Sequence, residues 1–281
     1  MKDMTRILCV ALLLAVMWGC GLTNQQILKT QSFGAATASI GELGEKEFVN
    51  IRNSIVEMNK ELVSIDNTKT SNSLILDKPT FAEPTSRRIA ACKALKLYGE
   101  LLVKLATEDR SENLQKTANA LVDNTSAALN KDLSEDQKGA ISRIIVGLGS
   151  FWVDKKKAEA AREIIPLYKR PVDDLADLLA EDFSIEESSK GYLKAYETTA
   201  KRLRNASMRL VNAGNKYTVL ERDRAVHAFT VAEEAIIRSV ALSKDAGKAI
   251  DSLKKANSEL VKVIGEQEYS TEDIKKYAKQ I

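Results

Sequence analysis

The feature that most constrains this chain is the spacing of its large apolar side chains. From Phe48 through Ile51, Ile55, Met58, Leu62 and Ile65 the intervals are three, four, three, four and three residues. That alternation places one apolar stripe along a helix and is incompatible with the two-residue period of a half-buried strand. The stripe extends upstream through Ile40 and Leu43. Similar patterns recur at Ile89, Leu95, Tyr98, Leu102 and Leu105, with Leu97 and Leu101 widening the face. They recur again at Leu114, Ala118, Leu121, Thr125 and Ala128. Aromatic residues are only 5% of the chain and there are just four prolines in 281 residues, which disfavours aromatic-rich alternating strands. The expectation is an all-α fold: an elongated antiparallel helical bundle with long, coiled-coil-like helices joined mostly by short loops.

Helix boundaries are read from caps and breakers. Pro84-Thr85-Ser86 is expected to open a helix to about Thr107, and Ser111 to cap the next to about Asn130. Ser134 and Gln137 form a capping box, in which the serine oxygen accepts an amide three residues on and the glutamine reaches back. The helix it opens is apolar almost all round from Ala140 to Val153, as suits a bundle centre. Pro166 and Pro171 predict that this helix ends near Ile165 and that a new one starts at Pro171. The new helix carries Val172, Leu175, Leu178 and Leu179. It is expected to break near Asp182-Phe183-Ser184 and to resume through Tyr192, Ala195, Thr199, Leu203, Ala206 and Leu210 to a cap at Asn212-Ala-Gly214. Thr218 and Glu221 make a second capping box. The helix that follows should run about 45 residues to Gly265, with Phe229, Ala232, Ile236, Ser239, Ser243, Ala246, Ile250, Leu253, Leu260 and Ile264 on its seam. A short last helix is expected from Ser270-Thr271, and residues 67–84 read as the longest loop, with Leu74, Ile75, Leu76 and Phe81 turned onto the bundle.

The amino terminus has a different character. Lys2 and Arg6 precede an apolar run from Ile7 to Trp18, too short to cross a bilayer that needs roughly 20 such residues. Gly19-Cys20 then sets a small residue directly before a cysteine. This leader resembles the lipobox signal peptide of bacterial lipoproteins, with Met17 and Trp18 standing where Leu and a small residue are commoner. The resemblance implies a signal peptide over 1–19, acylation of Cys20 as the first mature residue, and attachment to the membrane through its lipid. It implies a place in the cell envelope, with Gly21 after the cysteine favouring the outer membrane, facing the periplasm or the cell surface. Residues 20–35 then read as a lipidated tether, polar and rich in Gln and Asn up to Ser32, and 36–281 as the helical domain. No family resemblance is found for that domain.

Chemistry is sparse. With 42 basic and 39 acidic residues the net charge is +3, which argues against a nucleic-acid partner. Cys92 would be the one free thiol of the mature chain and reads as a small core residue. The single histidine, His227, has no second imidazole with which to share a metal, and no cofactor or metal is expected. Gly147-Leu-Gly-Ser150 lies inside a helical pattern, without the strand that precedes a phosphate loop. Asp173, Asp174, Asp177, Glu181, Asp182, Glu186 and Glu187 form an acidic cluster. It reads either as a weak Ca²⁺ or basic-partner site or as a solvated helix face paired with Lys155, Lys156, Lys157, Lys169 and Arg170. No catalytic residue is nominated. The leading expectation is a membrane-anchored interaction or structural module without catalysis, with a protein partner or self-association. Lipid or small-ligand binding in the bundle, and an envelope enzyme without a recognisable motif, are the alternatives.

Overall fold

The computed structural model describes residues 21–65, 79–107, 114–139, 141, 154–213 and 216–265. Cys20, the apolar stretch 142–153, most of the 67–84 loop and the Ser270-Thr271 segment lie outside the described residues. Among the described residues six long helices form the fold: α1 (Asn24–Ile65), α2 (Pro79–Ala106), α3 (Leu114–Leu129), α4 (Asp154–Asp182), α5 (Tyr192–Val211) and α6 (Val219–Gly265). A short helical turn at 135–139 follows the Ser134 cap. There is no strand among the described residues. The chain is an all-α bundle.

Cross-contacts fix the directions. Gln26 of α1 donates to the Val263 carbonyl of α6 at 2.9 Å, and Arg238 of α6 pairs with Glu47 of α1 at 2.7 Å. The two longest helices therefore run antiparallel along each other. With 47 residues, α6 is about 70 Å long. Gly21 and the end of α6 share one end of the bundle; the end of α1, the end of α5 and the start of α6 share the other.

The first half of α1 packs on α2 by backbone contact. A Cβ on Gly41 would stand 2.4 Å from the Cys92 carbonyl oxygen; one on Gly34, 2.7 Å from the Gly99 carbonyl; one on Gly99, 2.3 Å from the Gly34 carbonyl. Large side chains have no place in such a contact, and the expected seam is correspondingly displaced. Leu43 is exposed and Ile40 half-buried, while Thr37 and Gly41 are buried. From Phe48 onward every expected α1 core residue is buried. The start of α6 shows the same preference for small side chains. Ala225, Ala228 and Ala235 are buried beside Ala232 and Ser239, whereas Phe229 and Ile236 are half-buried.

Three boundaries differ from the sequence expectation. The stretch 20–35 is not a tether as far as it is described. Thr23 and Gln26 form a third capping box (2 bonds, 3.1 and 3.2 Å), α1 begins at Asn24, and Gln26, Thr30 and Phe33 are buried. The polar composition is spent on a cap and on cross-helix bonds. Helix α2 begins at Pro79 instead of Pro84; Pro84 forfeits only the bond to the Thr80 carbonyl, early in the helix. Finally, α4 runs through both Pro166 and Pro171. Pro171 cannot bond the Leu167 carbonyl, and Gln137 of the neighbouring turn does so instead, at 3.2 Å. An external donor thus makes the proline tolerable in mid-helix.

Other ends follow their signals. The Ser134–Gln137 box closes with bonds of 2.9 and 3.3 Å, and the Thr218–Glu221 box with 2.7 and 3.3 Å. Asn130 takes a left-handed φ of 50°, letting the Lys131 N–H close on the Ser126 carbonyl at 3.3 Å. α4 ends at Asp182, as expected, and Asn212 caps α5; Gly214 lies outside the described residues.

Two glycine substitutions separate close packing from helix propensity. Gly41→Ala is expected to lower stability by about 1–3 kcal/mol because the α1–α2 backbones must part. Gly247→Ala meets open space within α6 and should raise stability by roughly 0.5–1 kcal/mol. Urea unfolding of both variants measures the contrast; equal effects would refute it.

Candidate interaction surface

The acidic cluster does not act as a unit. Asp173 pairs with Lys169 at 2.5 Å and accepts from Asn257 of α6 at 3.0 Å. Asp174 pairs with Lys131 at 2.7 Å, and Asp177 with Lys254 at 2.5 Å. Glu181 accepts from the Ser189 hydroxyl and the Lys190 N–H, both at 3.2 Å, fixing the turn between α4 and α5. Of the expected partners Lys169 pairs with the cluster, while Lys131, Lys254 and Arg88, from other elements, engage Asp174, Asp177 and Asp182. Among the described residues no group of three or more His, Cys, Asp or Glu converges on a point where a metal ion could sit.

Asp182 is set apart by burial, at 3% exposure. It ion-pairs with Arg88 of α2, whose guanidinium lies over the Tyr192 ring, 4.9 Å from its centroid. Tyr192 opens α5, and its hydroxyl shares a 2.8 Å hydrogen bond with Thr85. Phe48 of α1 packs against Phe183 and Tyr192, with centroids 4.8 and 5.6 Å away. Four helices thus meet around one buried ion pair. Burial raises the Asp182 pKa above its ordinary value; the Arg88 charge and hydrogen bond, and then the Tyr192 N–H, act in the opposite direction. We read this buried node as a structural junction.

The remaining nominated residues are placed as follows. Cys92 is fully buried against Gly44, and burial, with smaller effects from Glu45 and Asp182, pushes its thiol up to about 12. It stays protonated and unreactive at neutral pH. His227 is exposed on α6. Cys20 and Gly147–Ser150 lie outside the described residues.

Two concavities stand out among the described residues. An apolar groove of about 340 Å³ runs between α1 and α6, floored by Phe33, Ile40, Leu253 and Leu260 and gated by the Lys29–Glu259 ion pair (2.6 Å). The larger, a cleft of about 840 Å³, lies where α1 ends beside α5. Leu62 and Ala206 form its buried floor. Arg202, Asn205, Arg209 and Asn212 line it at intervals of three, four and three residues along α5. No acidic side chain lines it, and among the described residues neither arginine has an ion-pair partner. Five exposed large apolar residues belong to the same end of the bundle: Met208, Val211, Val219, Leu220 and Val226, with Val219 76% and Leu220 66% exposed. Sequence reading missed this cleft. Its signal was an Arg-x-x-Asn-x-x-x-Arg-x-x-Asn run on the outward face of a strongly basic helix, whose one acidic residue is Glu197.

No family model matches the chain, and no curated protein or solved structure matches it.

The Arg88–Asp182 pair gives two expectations. Asp182→Ala leaves a buried guanidinium unpaired and should cost about 3 kcal/mol, while the double replacement Arg88→Met/Asp182→Leu should restore most of the loss. Because the native carboxyl binds its proton more readily than the unfolded one, its contribution falls as pH rises from about 4 through the raised native value. Chemical unfolding from pH 3.5 to 7 should therefore show wild type losing stability relative to Asp182→Asn. A constant difference would contradict the assignment.

Proposed function

We propose that this protein is a lipid-anchored helical rod of the bacterial cell envelope that presents its far end to a protein partner and carries out no catalysis. The observation that carries the reading is the way the chain enters the fold. Arg162 of α4 donates to the Gly21 carbonyl at 2.8 Å, and Thr23 already caps α1. A fatty acyl group on Cys20 would be attached one residue from a rigid bundle, without a flexible linker. Each buried methylene contributes about 0.8 kcal/mol, so two or three chains hold such a protein on a bilayer. The lipid supplies the attachment: among the described residues no helix is long and apolar enough to cross a membrane. From Asn24 to Leu62, α1 spans roughly 55–60 Å. The basic and apolar residues gathered at its far end would then stand well clear of the lipid surface.

A second reading, binding of a lipid or small apolar ligand, is favoured by the groove between α1 and α6. Native mass spectrometry after mild extraction separates the two: a bound apolar ligand supports the second, a specific co-purifying protein the first.

Mass spectrometry of the mature amino terminus tests the anchoring. The expected species begins at Cys20 and carries acyl mass, and Cys20→Ala should move the protein out of the membrane fraction. A mature chain beginning elsewhere, or one without acyl mass, removes the anchoring half of the proposal.

A further inference from the structure

We propose that the cleft between α1 and α5 binds an acidic, amphipathic helical segment of a partner protein, with Arg202 and Arg209 as its charge clamp. The inference deepens the interaction reading above and rests on it. Three features of the cleft select this chemistry.

The first is charge without compensation. Several basic groups of the bundle have acidic partners: Lys201 pairs with Glu197 at 2.8 Å, Arg204 with Glu233 at 3.4 Å and Arg238 with Glu47 at 2.7 Å. Arg202 and Arg209 line a cleft with no carboxylate among its lining residues. A guanidinium presents a planar fork of donors that matches a carboxylate in two-point geometry.

The second is spacing. Seven residues of helix separate the two forks by about 10 Å along α5. A single phosphate or carboxylate is too small to engage both. Two carboxylates seven residues apart on a docked helix match the interval, since that helix has the same rise. Asn205 and Asn212, interleaved on the same face, can donate to or accept from a partner's polar groups.

The third is the apolar surround. Leu62 and Ala206 floor the cleft, and Met208 and Val211 are 44% and 39% exposed beside it. An amphipathic helix lays its apolar face into such a groove and its charged flank against the rim. Met is well suited to this role because its unbranched side chain adapts to the surface it meets. A wholly polar anion would leave these apolar side chains in water. The rim arginines are expected to govern encounter rate and specificity, and the apolar floor the retention of the bound segment.

The test uses the full-length protein in detergent micelles and three fluorescent designed helical peptides. They share one leucine face and differ only at two positions seven residues apart, filled by Glu, Gln or Lys. Fluorescence anisotropy should show saturable binding of the Glu peptide, at least about tenfold tighter than the Gln peptide and weakened by salt. Arg202→Glu/Arg209→Glu should reduce affinity for the Glu peptide by about tenfold or more and transfer the preference to the Lys peptide. Both side chains are exposed, and Arg202→Gln/Arg209→Gln, checked by the same thermal melt, guards against a folding defect in the charge-reversed protein. Arg222→Glu/Arg224→Glu on α6, outside the cleft, should leave binding within about twofold. Absence of saturable binding, equal affinity for the Glu and Gln peptides, or full retention of binding by the charge-reversed protein overturns the proposal. So does tighter binding to phosphatidylglycerol vesicles than to any peptide, which would assign the arginines to a lipid surface. Failure of the anchoring reading appears separately, in the amino-terminal mass, which this experiment does not use.

Discussion

The contact on which the rest of the structure depends is the one between α1 and α2, where glycines take the place of side chains. Gly34 and Gly99 each lie against the other's backbone, and Gly41 lies against Cys92 and Lys96. At such distances dispersion acts between main chains, and a single added methyl group cannot be absorbed by turning a rotamer. The contact fixes the axial register of α1, because Gly34 and Gly41, seven residues apart, oppose Gly99 and Cys92, also seven apart. Register set there carries along the helix. It places Phe33 edge-on to Tyr98 (6.4 Å), which stacks on Tyr168 of α4 at 5.3 Å, and it places Phe48 among Phe183 and Tyr192.

The polar groups of the bundle serve mainly to finish helices at each other's ends. α2 ends with the Ala106 carbonyl bonded by Gln31 of α1 at 3.2 Å and the Thr107 carbonyl bonded by Lys157 of α4 at 2.6 Å. α3 ends with the Ala128 carbonyl bonded by Arg87 of α2. A terminal carbonyl left buried without a donor would cost about 1–3 kcal/mol, and a cationic donor also suits the negative end of the helix dipole. These pairs help fix how the helices sit against one another, since each links a helix end to a side chain of another helix. The same division of labour applies to the acidic residues of α4: Asp173, Asp174, Asp177 and Asp182 bond Asn257, Lys131, Lys254 and Arg88, tying α4 to its neighbours.

Much of this was readable from residue order, and the failures have a common cause. The spacing of Phe48 through Ile65 and the boxes at Ser134 and Thr218 are local signals, and local signals held. Thr23-x-x-Gln26 is the same box, but its Gln- and Asn-rich surroundings suggested a solvated tether; composition outweighed a motif that geometry obeys. Pro171 is an interior helix breaker by local rules, yet Gln137, thirty-four residues earlier, supplies the missing donor. The glycine contact was invisible because an apolar-period count weighs large side chains and passes over Gly34 and Gly41. Arg88 and Asp182 are 94 residues apart, and nothing in either neighbourhood names the other. What failed was whatever depends on a partner far along the chain.

The cleft belongs to that second kind, and its chemistry follows from how the bundle divides its charges. A chain with 42 basic and 39 acidic residues can neutralise nearly every cation at its own surface. Several of its cations are paired across helix boundaries, Lys131 with Asp174, Lys254 with Asp177 and Arg238 with Glu47 among them. Arg202 and Arg209 sit where α5 passes the end of α1, and among the described residues no carboxylate lines the cleft there. Exposed pairs contribute little to folding stability, about 0–1 kcal/mol each, so two unpaired arginines do little harm to the fold. A pair of fixed, unpartnered guanidinium groups above an apolar floor is inexpensive for the fold to maintain and specific in what it can recognise. Folding makes no use of these charges, and a partner carrying the opposite charges at the matching interval can.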